Sequence, residues 1–223
     1  MKKLHIAVIA VTAAFALAGC EDPAKDKPAA TVGSAKPTPA ETAAAKPDGE
    51  TKTATAPASG GWTLAEGSKV EFVGSKVTGK HEGGFKVVKA TAKLADGKVE
   101  GGSVEVEIDM KSTFSDEDGL TKHLMGADFF DVENHGAAKF VSTEVKAGGA
   151  DGASHTVAGN LTLRGETKGI EFPATIEVKD DLVTVKSEFS INRKDFKIEY
   201  AGKADDLIND LVVIKLDLQF KKA

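Results

Sequence analysis

Cysteine, arginine and the large polar aromatic residues are scarce in this sequence. Cys20 is the single cysteine, so no internal disulfide can form and stability must come from a hydrophobic core. The formal net charge is −5, and the 29 basic residues are interspersed with the 34 acidic residues without forming a basic patch. This pattern is typical of a solvated protein surface and excludes nucleic acid as an expected partner.

Motifs of catalysis and metal binding are absent as well. His81, His123, His135 and His155 lack the close spacing that metal ligands require. The sequence contains no Gly-x-Ser-x-Gly elbow, no phosphate-binding loop and no glycine-rich dinucleotide turn. We therefore expect no enzyme, with no catalytic residue, no metal site and no cofactor.

The longest predominantly apolar run lies near the N-terminus, from Leu4 to Ala18, and follows two lysines. It is too short to span a bilayer but has the length of the apolar region of a secretory signal peptide. The run leads into Leu17-Ala18-Gly19-Cys20, which resembles the lipobox of bacterial lipoproteins. The resemblance implies that residues 1–19 are removed and that an acylated Cys20 anchors the protein to a membrane. An ordinary signal peptide followed by a spare thiol is the alternative.

We interpret residues 20–60 as the lipidated cysteine followed by a disordered tether. The stretch is mostly Ala, Pro, Thr, Lys and acidic residues, it holds six of the seven prolines, and Val32 is its only large aliphatic residue. Such a composition buries too little apolar surface to offset the entropy of ordering the chain. Residues 61–223 then form one domain, tethered to a membrane of the bacterial cell envelope. Glu21 after Cys20 favours the outer membrane over the inner membrane.

Apolar and charged residues alternate through most of residues 61–223, and turn residues such as Asp96-Gly97 and Asp180-Asp181 separate the alternating stretches. Such short connections join neighbouring strands antiparallel, so the pattern predicts an all-β domain, either a sandwich or a closed up-and-down barrel. The charged face mixes Lys and Glu as a solvated surface does, so the apolar face points inwards. The eight predicted strands are Trp62–Val77, Gly84–Leu94, Lys98–Met110, Ala138–Lys146, Ser154–Arg164, Gly169–Val178, Leu182–Asn192 and Leu211–Lys221.

The alternation breaks once, between the third and fourth predicted strands. The acidic stretch Ser115–Asp118 favours the start of a helix, Leu120 and Leu124 follow at helical spacing, and a glycine ends the segment. We therefore predict a short helix, followed by a loop that contains Phe129 and Phe130. The two rings form either a hydrophobic plug over one end of the sheet or a lid that touches a ligand.

Three segments of the sequence point to a known family. They are HLMGADFFDVENHGAAKFVSTEV (123–145), VAGNLTLRGETKGIEFPATI (157–176) and FSINRKDFKIEYAGKADDLINDLVVIKLDL (189–218). In order and spacing they resemble the YceI-like family of lipid- or polyisoprenoid-binding proteins, and the similarity covers essentially all of Trp62 to Lys221. The resemblance implies a lipocalin-like, eight-stranded antiparallel up-and-down barrel. It also implies an elongated apolar cavity that takes a long-chain isoprenoid or a similar lipid.

The inward-facing positions give an expected set of apolar, ligand-lining side chains. With the family resemblance, they predict a membrane-tethered lipoprotein that sequesters or transports a long-chain lipid. A barrel with a packed core, acting as a structural or protein-interaction module, is the alternative. The expected lining residues are Val70, Phe72, Phe85, Val104, Val106, Ile108, Phe129, Phe130, Phe140, Leu161, Leu163, Ile170, Phe172, Ile176, Val185, Phe189, Ile214, Leu216 and Leu218.

Only two of the 29 basic residues are arginine, Arg164 and Arg193, and both fall in turns at the ends of predicted strands. The planar fork of arginine suits bidentate pairing better than lysine does. One interpretation is a structural pairing with Asp195, Glu166 or Asp205. The other is contact with a phosphate head group, such as that of an isoprenoid diphosphate.

Overall fold

The computed structural model describes residues 22–38 and 61–223, which form β-structure with one α-helix in these two ranges. The strands are β1 (Thr31–Ser34), β2 (Trp62–Leu64), β3 (Lys69–Lys76), β4 (Gly79–Phe85), β5 (Val88–Ala95), β6 (Lys98–Asp109), β7 (Thr113–Ser115), β8 (Ala137–Ala147), β9 (His155–Leu163), β10 (Glu166–Lys179), β11 (Leu182–Asn192), β12 (Gly202–Lys203), β13 (Asp206–Leu207) and β14 (Leu211–Lys222). The helix α1 spans Asp118–Met125, and 3₁₀ turns cover Met110–Ser112, Ala150–Gly152 and Arg193–Phe196.

The N-terminal predictions are only partly covered by this structure. The predicted signal peptide and Cys20 lie outside the described residues. Within residues 22–38 and 61–223, no helix combines the length and the apolar character needed to cross a membrane.

The long strands close into an eight-stranded antiparallel barrel, which confirms the predicted fold class. β2 and β3 are successive parts of one wall strand, since both pair with β14, and β4 and β5 together form the next. The wall continues through β6, β8, β9, β10 and β11, and β11 pairs with β14 along its whole length to close the circle. The sequence pattern missed the break between β2 and β3, and it missed β4, whose glycines weaken the alternation.

The two faces of the wall are sorted as the alternation predicts. In β10, Ile170, Phe172 and Ala174 are buried in the interior, whereas Glu171 and Glu177 are exposed. Each large apolar side chain moved from water into such an interior stabilises the fold by about 1.5–3 kcal/mol. The core therefore lies inside the barrel, along its axis.

The two ends of the barrel differ. One end, which we call the lid end, carries α1, the loop with Phe129 and Phe130, and the 3₁₀ turn Arg193–Phe196. The opposite end, the far end, carries the tight β5–β6 and β10–β11 turns. α1 begins at the end of the acidic stretch that predicted its start. Its N-cap residue, Glu117, makes no side-chain cap hydrogen bond, and the Ser115 hydroxyl lies 2.9 Å from that of Thr121.

β10 and β11 pair with each other only near the far end, over Thr175–Lys179 of β10. Towards the lid end the two strands separate, and Pro173 lies where the pairing stops. Proline has no backbone N–H and cannot donate to a neighbouring strand. Its carbonyl accepts a hydrogen bond from the Ser187 hydroxyl at 2.5 Å. The lid-end halves of β10 and β11 thus leave a gap in the wall, which we call the seam.

The N-terminal segment, residues 22–38, fills the seam. β1 runs antiparallel to β10, with Thr31 opposite Glu171, and Ala29 forms a parallel bridge with Ser190 of β11. The side chain of Val32 packs against the barrel core. The segment binds chiefly through backbone hydrogen bonds, which the unpaired edges of the seam supply without requiring large apolar side chains.

The expectation of a disordered tether over residues 20–60 therefore does not hold for residues 22–38. Apolar composition is a poor guide for a strand that completes an existing wall, because most of the core is already present. Residues 39–60 lie outside the described part of the chain.

Asn160 on β9 holds the end of the N-terminal segment that follows β1. Its side-chain amide donates to the Lys36 carbonyl at 2.6 Å, and its Oδ1 accepts from the Lys36 N–H at 2.9 Å. Gly169 allows the chain to cross β10 here, because a Cβ at this position would lie 2.6 Å from the Ser34 carbonyl oxygen. The close crossing and the paired hydrogen bonds fix this end of the segment.

Ala24 holds the start of the same segment on the outer face of the barrel. It is only 3% exposed and packs against Val73 and Val213. The Asp22 carboxylate accepts from the Ala24 N–H at 3.0 Å and from the Ser75 hydroxyl at 3.4 Å. This contact accounts for Val213, an apolar residue on the outward face of the last strand.

Replacing Asn160 by alanine should loosen the N-terminal segment and leave the barrel closed elsewhere. Two hydrogen bonds of about 1 kcal/mol each are lost. Backbone amides of residues 30–34 should therefore exchange with deuterium roughly 5–30 times faster, measured by mass spectrometry. Asn134→Ala, which removes an exposed amide bonded to Asp131, is the matched control. Unchanged exchange in Asn160→Ala would show that the segment is held by other contacts.

Candidate functional site

The barrel encloses a cavity beneath the lid end. Its volume is about 210 Å³, counted as the space open to the centre of a water molecule. Its surface is made of apolar atoms from the barrel wall and the lid. A buried water needs two to four polar partners, and an apolar cavity of this kind stays dry. The site is therefore suited to hydrocarbon and unsuited to a polar substrate.

A second, smaller cavity of about 90 Å³ lies towards the far end. Phe140 and Phe172 line both cavities. The Phe172 ring stacks on Phe189 with centroids 4.3 Å apart and lies 5.7 Å from Phe140. With Val106, Leu216 and Leu218, which also line both cavities, the three rings form a partition across the barrel. The interior is hollow on both sides of this partition, so it is not packed from end to end.

Every residue of the expected lining set faces one of the two cavities. Three of them, Val104, Ile176 and Val185, line the smaller cavity alone. The others line the larger one: Val70, Phe72, Phe85, Val106, Ile108, Phe129, Phe130, Phe140, Leu161, Leu163, Ile170, Phe172, Phe189, Ile214, Leu216 and Leu218.

Sequence reasoning missed several lining residues near the lid end. Leu124 comes from α1, and Ile198 and Ile208 come from the irregular chain between β11 and β14, where a period of two does not apply. Ile198 is a single aliphatic residue between two charged neighbours, whereas Leu124 adjoins Met125 and Ile208 adjoins Leu207. The missed apolar residues of the larger cavity are Met110, Leu124, Ala138, Ile191, Ile198, Ile208 and Val212. Those of the smaller cavity are Ala92, Leu94, Val99, Val145, Val157, Val183 and Phe220.

Phe129 and Phe130 close the lid end and also face the cavity. The Phe130 ring lies 6.1 Å from Phe72 and 6.0 Å from Phe85, centroid to centroid. The Phe129 ring meets His123 edge-on at 4.9 Å. The sequence suggested two roles for these rings, a hydrophobic plug or a lid over a ligand. One position serves both roles, since the two rings form the ceiling of the cavity.

Arg164 ties the lid loop to the rest of the lid end. Its Nη2 donates to the Ala127 carbonyl at 2.6 Å, and its Nη1 donates to the Lys197 carbonyl. Glu166, which the sequence suggested as a partner of arginine, pairs with the Lys197 ammonium instead. That hydrogen bond lowers the pKa of Glu166. The guanidinium fork therefore bridges two segments of backbone and not a carboxylate.

Arg193 is 5% exposed and lies beside the cavity, but its donors are already used by the protein. Nε donates to the Asn209 carbonyl at 3.0 Å, Nη1 to the Ile198 carbonyl at 2.6 Å, and Nη2 to Asp210 Oδ1 at 3.3 Å. Burial lowers the pKa of Arg193, and the charge of Asp210 opposes that shift.

The structure therefore favours the structural role for both arginines and corrects their partners. Neither guanidinium contacts Asp195, Glu166 or Asp205; the acceptors are main-chain carbonyls, joined at Arg193 by the carboxylate of Asp210.

The described part of the chain offers no metal centre. Within residues 22–38 and 61–223, no group of three or more His, Cys, Asp or Glu side chains is placed to bind a metal ion. His123 contacts Asp128 at 3.1 Å and His81 contacts Asp116 at 3.0 Å, each as an isolated pair.

The barrel formed within residues 61–223 agrees with comparisons to known proteins. The YceI-like domain matches residues 62–220. The chain belongs to the YceI-like family. A UPF0312 protein of Pseudomonas putida strain W619 is 34% identical over 139 residues, which cover 56% of this chain and 71% of the relative. A UPF0312 protein of Pseudomonas fluorescens is 38% identical over 140 residues, which cover 56% of this chain and 68% of the relative.

Two solved structures share the architecture. BcnA of Burkholderia cenocepacia superposes with a TM-score of 0.58 at 27% identity, over 68% of this chain and 95% of BcnA. A polyisoprenoid-binding domain from Saccharophagus degradans gives a TM-score of 0.58 at 17% identity, over 73% of this chain and 98% of that domain. Membership of this family agrees with the expectation that the protein is not an enzyme.

Replacing Arg193 by alanine should lower the free energy of unfolding by about 3 kcal/mol, because buried carbonyls lose charge-assisted hydrogen bonds. Urea titration followed by circular dichroism measures the change. Lys194→Ala is the matched control, because Lys194 pairs with the same Asp210 at 2.8 Å from an exposed position. It should cost less than about 1 kcal/mol. Unchanged stability of Arg193→Ala together with a selective loss of diphosphate-lipid binding would assign Arg193 to the head group instead.

Proposed function

We propose that this protein is an envelope lipoprotein, anchored through acylated Cys20, that holds the hydrocarbon part of a long-chain lipid inside its barrel. The cavity under the lid carries this proposal. Its volume is about 210 Å³ and its surface is apolar, so a polar ligand would lose its hydrogen bonds to water there without replacement. The polyisoprenoid-binding domain of Saccharophagus degradans supports a polyisoprenoid or a similar amphiphile as the lipid.

The apolar lining accounts for binding of the hydrocarbon chain of the lipid. Each methylene transferred from water contributes about 0.8 kcal/mol in gross terms, and immobilising the chain offsets part of this. Affinity therefore depends on chain length up to the point at which the cavity is full. All three nitrogens of Arg193 and both Nη atoms of Arg164 already bond acceptors within the protein, and only the buried Nε of Arg164 has no partner. The head group therefore contributes little.

The proposal places the protein in the bacterial cell envelope, with the outer membrane favoured by Glu21 after Cys20. Sequestration or transport of the lipid is the biological role that fits an anchored, closed barrel. A barrel that acts only as a structural or protein-interaction module is the competing outcome of the test.

The direct test is organic extraction of the full-length protein purified from its native envelope, followed by mass spectrometry of the extract. We expect one long-chain lipid per protein and, on Cys20, a covalent acyl modification. An empty extract from a protein that also fails to bind added prenols of any length contradicts lipid carriage and supports the module.

Filling the cavity should abolish binding without unfolding the barrel. Leu161 lines the larger cavity, so Leu161→Trp should weaken the affinity for a long prenol by about tenfold or more, measured by displacement of a fluorescent fatty acid. Overpacking should cost no more than about 1–3 kcal/mol of stability. Val178→Trp, on an exposed residue near the far end, is the control and should bind as the parent does. Equal binding by both variants would place the ligand outside this cavity.

A further inference from the structure

The N-terminal segment begins at a fixed point on the lid end of the barrel. The Ser75 hydroxyl donates to the Asp22 carboxylate at 3.4 Å and accepts from Asn209 Nδ2 at 2.9 Å. Ala24, two residues further on, is buried against the outer wall. The chain therefore reaches the barrel immediately at Asp22 and not after a long spacer.

Cys20 precedes Asp22 by two residues. An extended chain covers at most about 3.6 Å per residue, so Cys20 lies within about 7 Å of Asp22 in any conformation. This step rests on the acylation of Cys20 under the proposed function. The headgroup layer of each leaflet is about 5–8 Å thick. An acylated Cys20 therefore holds the barrel directly at the membrane surface.

Two exposed apolar side chains lie on the same rim. Val77 and Leu207 are 63% and 50% exposed, the highest values among the exposed large apolar residues of the described ranges. The Val77 N–H donates to the Leu207 carbonyl at 3.1 Å, so the two residues are neighbours, and we call them the rim pair. Val77 follows Ser75 by two residues, so about 7 Å of strand separates it from the point where Asp22 is held.

Two of the acidic groups next to the rim pair are held in ion pairs. Asp206 pairs with Lys76 at 2.5 Å, and this hydrogen bond lowers the pKa of Asp206 and raises that of Lys76. Asp210 pairs with both Arg193 and Lys194. Asp205, next to Asp206, and Glu117, whose charge helps to raise the pKa of Lys76, add negative charge near the rim pair. The acyl anchor and the apolar pair, and not electrostatic attraction, therefore hold this face to an anionic membrane surface.

We propose that the lid end of the barrel rests on the bilayer surface, with Val77 and Leu207 in the headgroup layer. The site of lipid attachment and the exposed apolar residues then lie on one side of the molecule. The lid that covers the cavity lies at this same end, since Ile208, next to Leu207, lines the cavity. A lipid passes between bilayer and cavity through the lid without crossing bulk water.

The orientation can be measured with single fluorescent labels on the full-length acylated protein. An acylated Cys20 does not react with maleimides, so a new cysteine is labelled alone. Val77→Cys and Leu207→Cys report on the lid end, and Val178→Cys, an exposed valine near the far end, is the control. In vesicles of phosphatidylethanolamine and phosphatidylglycerol, lipid-bound bromine should quench the first two labels at least about threefold more than the third. Equal, water-like emission from all three labels overturns the proposal.

A pair of insertions separates docking from a loose tether. A flexible Gly-Ser linker between Glu21 and Asp22 should release the barrel and abolish quenching at position 77. The same linker between Ala45 and Lys46 should leave quenching unchanged, because it lies beyond the segment that is fixed to the barrel. Equal behaviour of the two insertions contradicts the proposal, because a leash running through residues 22–60 would not distinguish the two sites.

Prenol binding by the same variants keeps this inference distinct from the proposed function. Both insertions should bind prenol as the parent does. If the parent protein does not bind prenol while labels at positions 77 and 207 are still quenched, lipid carriage is refuted and the docking stands. Retained prenol binding with water-exposed labels refutes the docking alone. Mass spectrometry that finds an unmodified Cys20 overturns the docking and the anchoring together.

Discussion

A closed β-barrel requires a partner for every backbone N–H and C=O along its wall, and here β10 and β11 meet that requirement together only near the far end. Pro173 has no N–H to offer where the two strands separate. The N-terminal segment supplies the missing partners, through β1 on one side and Ala29 on the other. The integrity of the wall beside the cavity thus depends on residues far outside the domain that the family comparison covers.

Apolar side chains of the wall form the cavity, and two arginines hold the lid-end segments. Alternating apolar residues of the wall enclose a dry space, and a partition built around three phenylalanine rings divides it. Arg164 and Arg193 bind backbone carbonyls of the lid-end segments, which regular strand pairing leaves without partners. Arginine is needed at these two positions because one rigid fork can satisfy several carbonyls at once.

The barrel could be predicted from sequence because each wall strand must bury one face, and a period of two records that constraint residue by residue. For this reason Val104 and Phe172 were placed correctly on the inner wall. Ile198 and Ile208 were missed, because the chain that carries them is irregular and only its tertiary packing turns them inwards. The partners of Arg193 were also misjudged. Main-chain carbonyls are equally present at every position of a sequence, so only the fold shows which ones converge.

The N-terminal segment shows a second limit of sequence reasoning. Its composition is typical of disorder, and Val32 alone hints at burial. A strand that fills a preformed gap needs little hydrophobicity of its own, because backbone hydrogen bonds supply most of the attraction. Composition rules estimate whether a segment can build a core, and they do not apply to a segment that completes one.

The close crossing at Gly169 is one of several contacts that determine how the barrel bears a pull on the N-terminal segment. β1 is hydrogen-bonded to β10 along its length. Asn160 bonds Lys36, which follows β1, and Ala24, which precedes β1, packs against the outer wall. A pull applied at Asp22 is therefore borne first by the contacts of Asp22 and Ala24, next by the backbone bonds between residues 28–30 and Ser190, and then, in shear, by the ladder beside Ile170. The load then falls on β10 and β11, the two strands that border the seam beside the hollow interior.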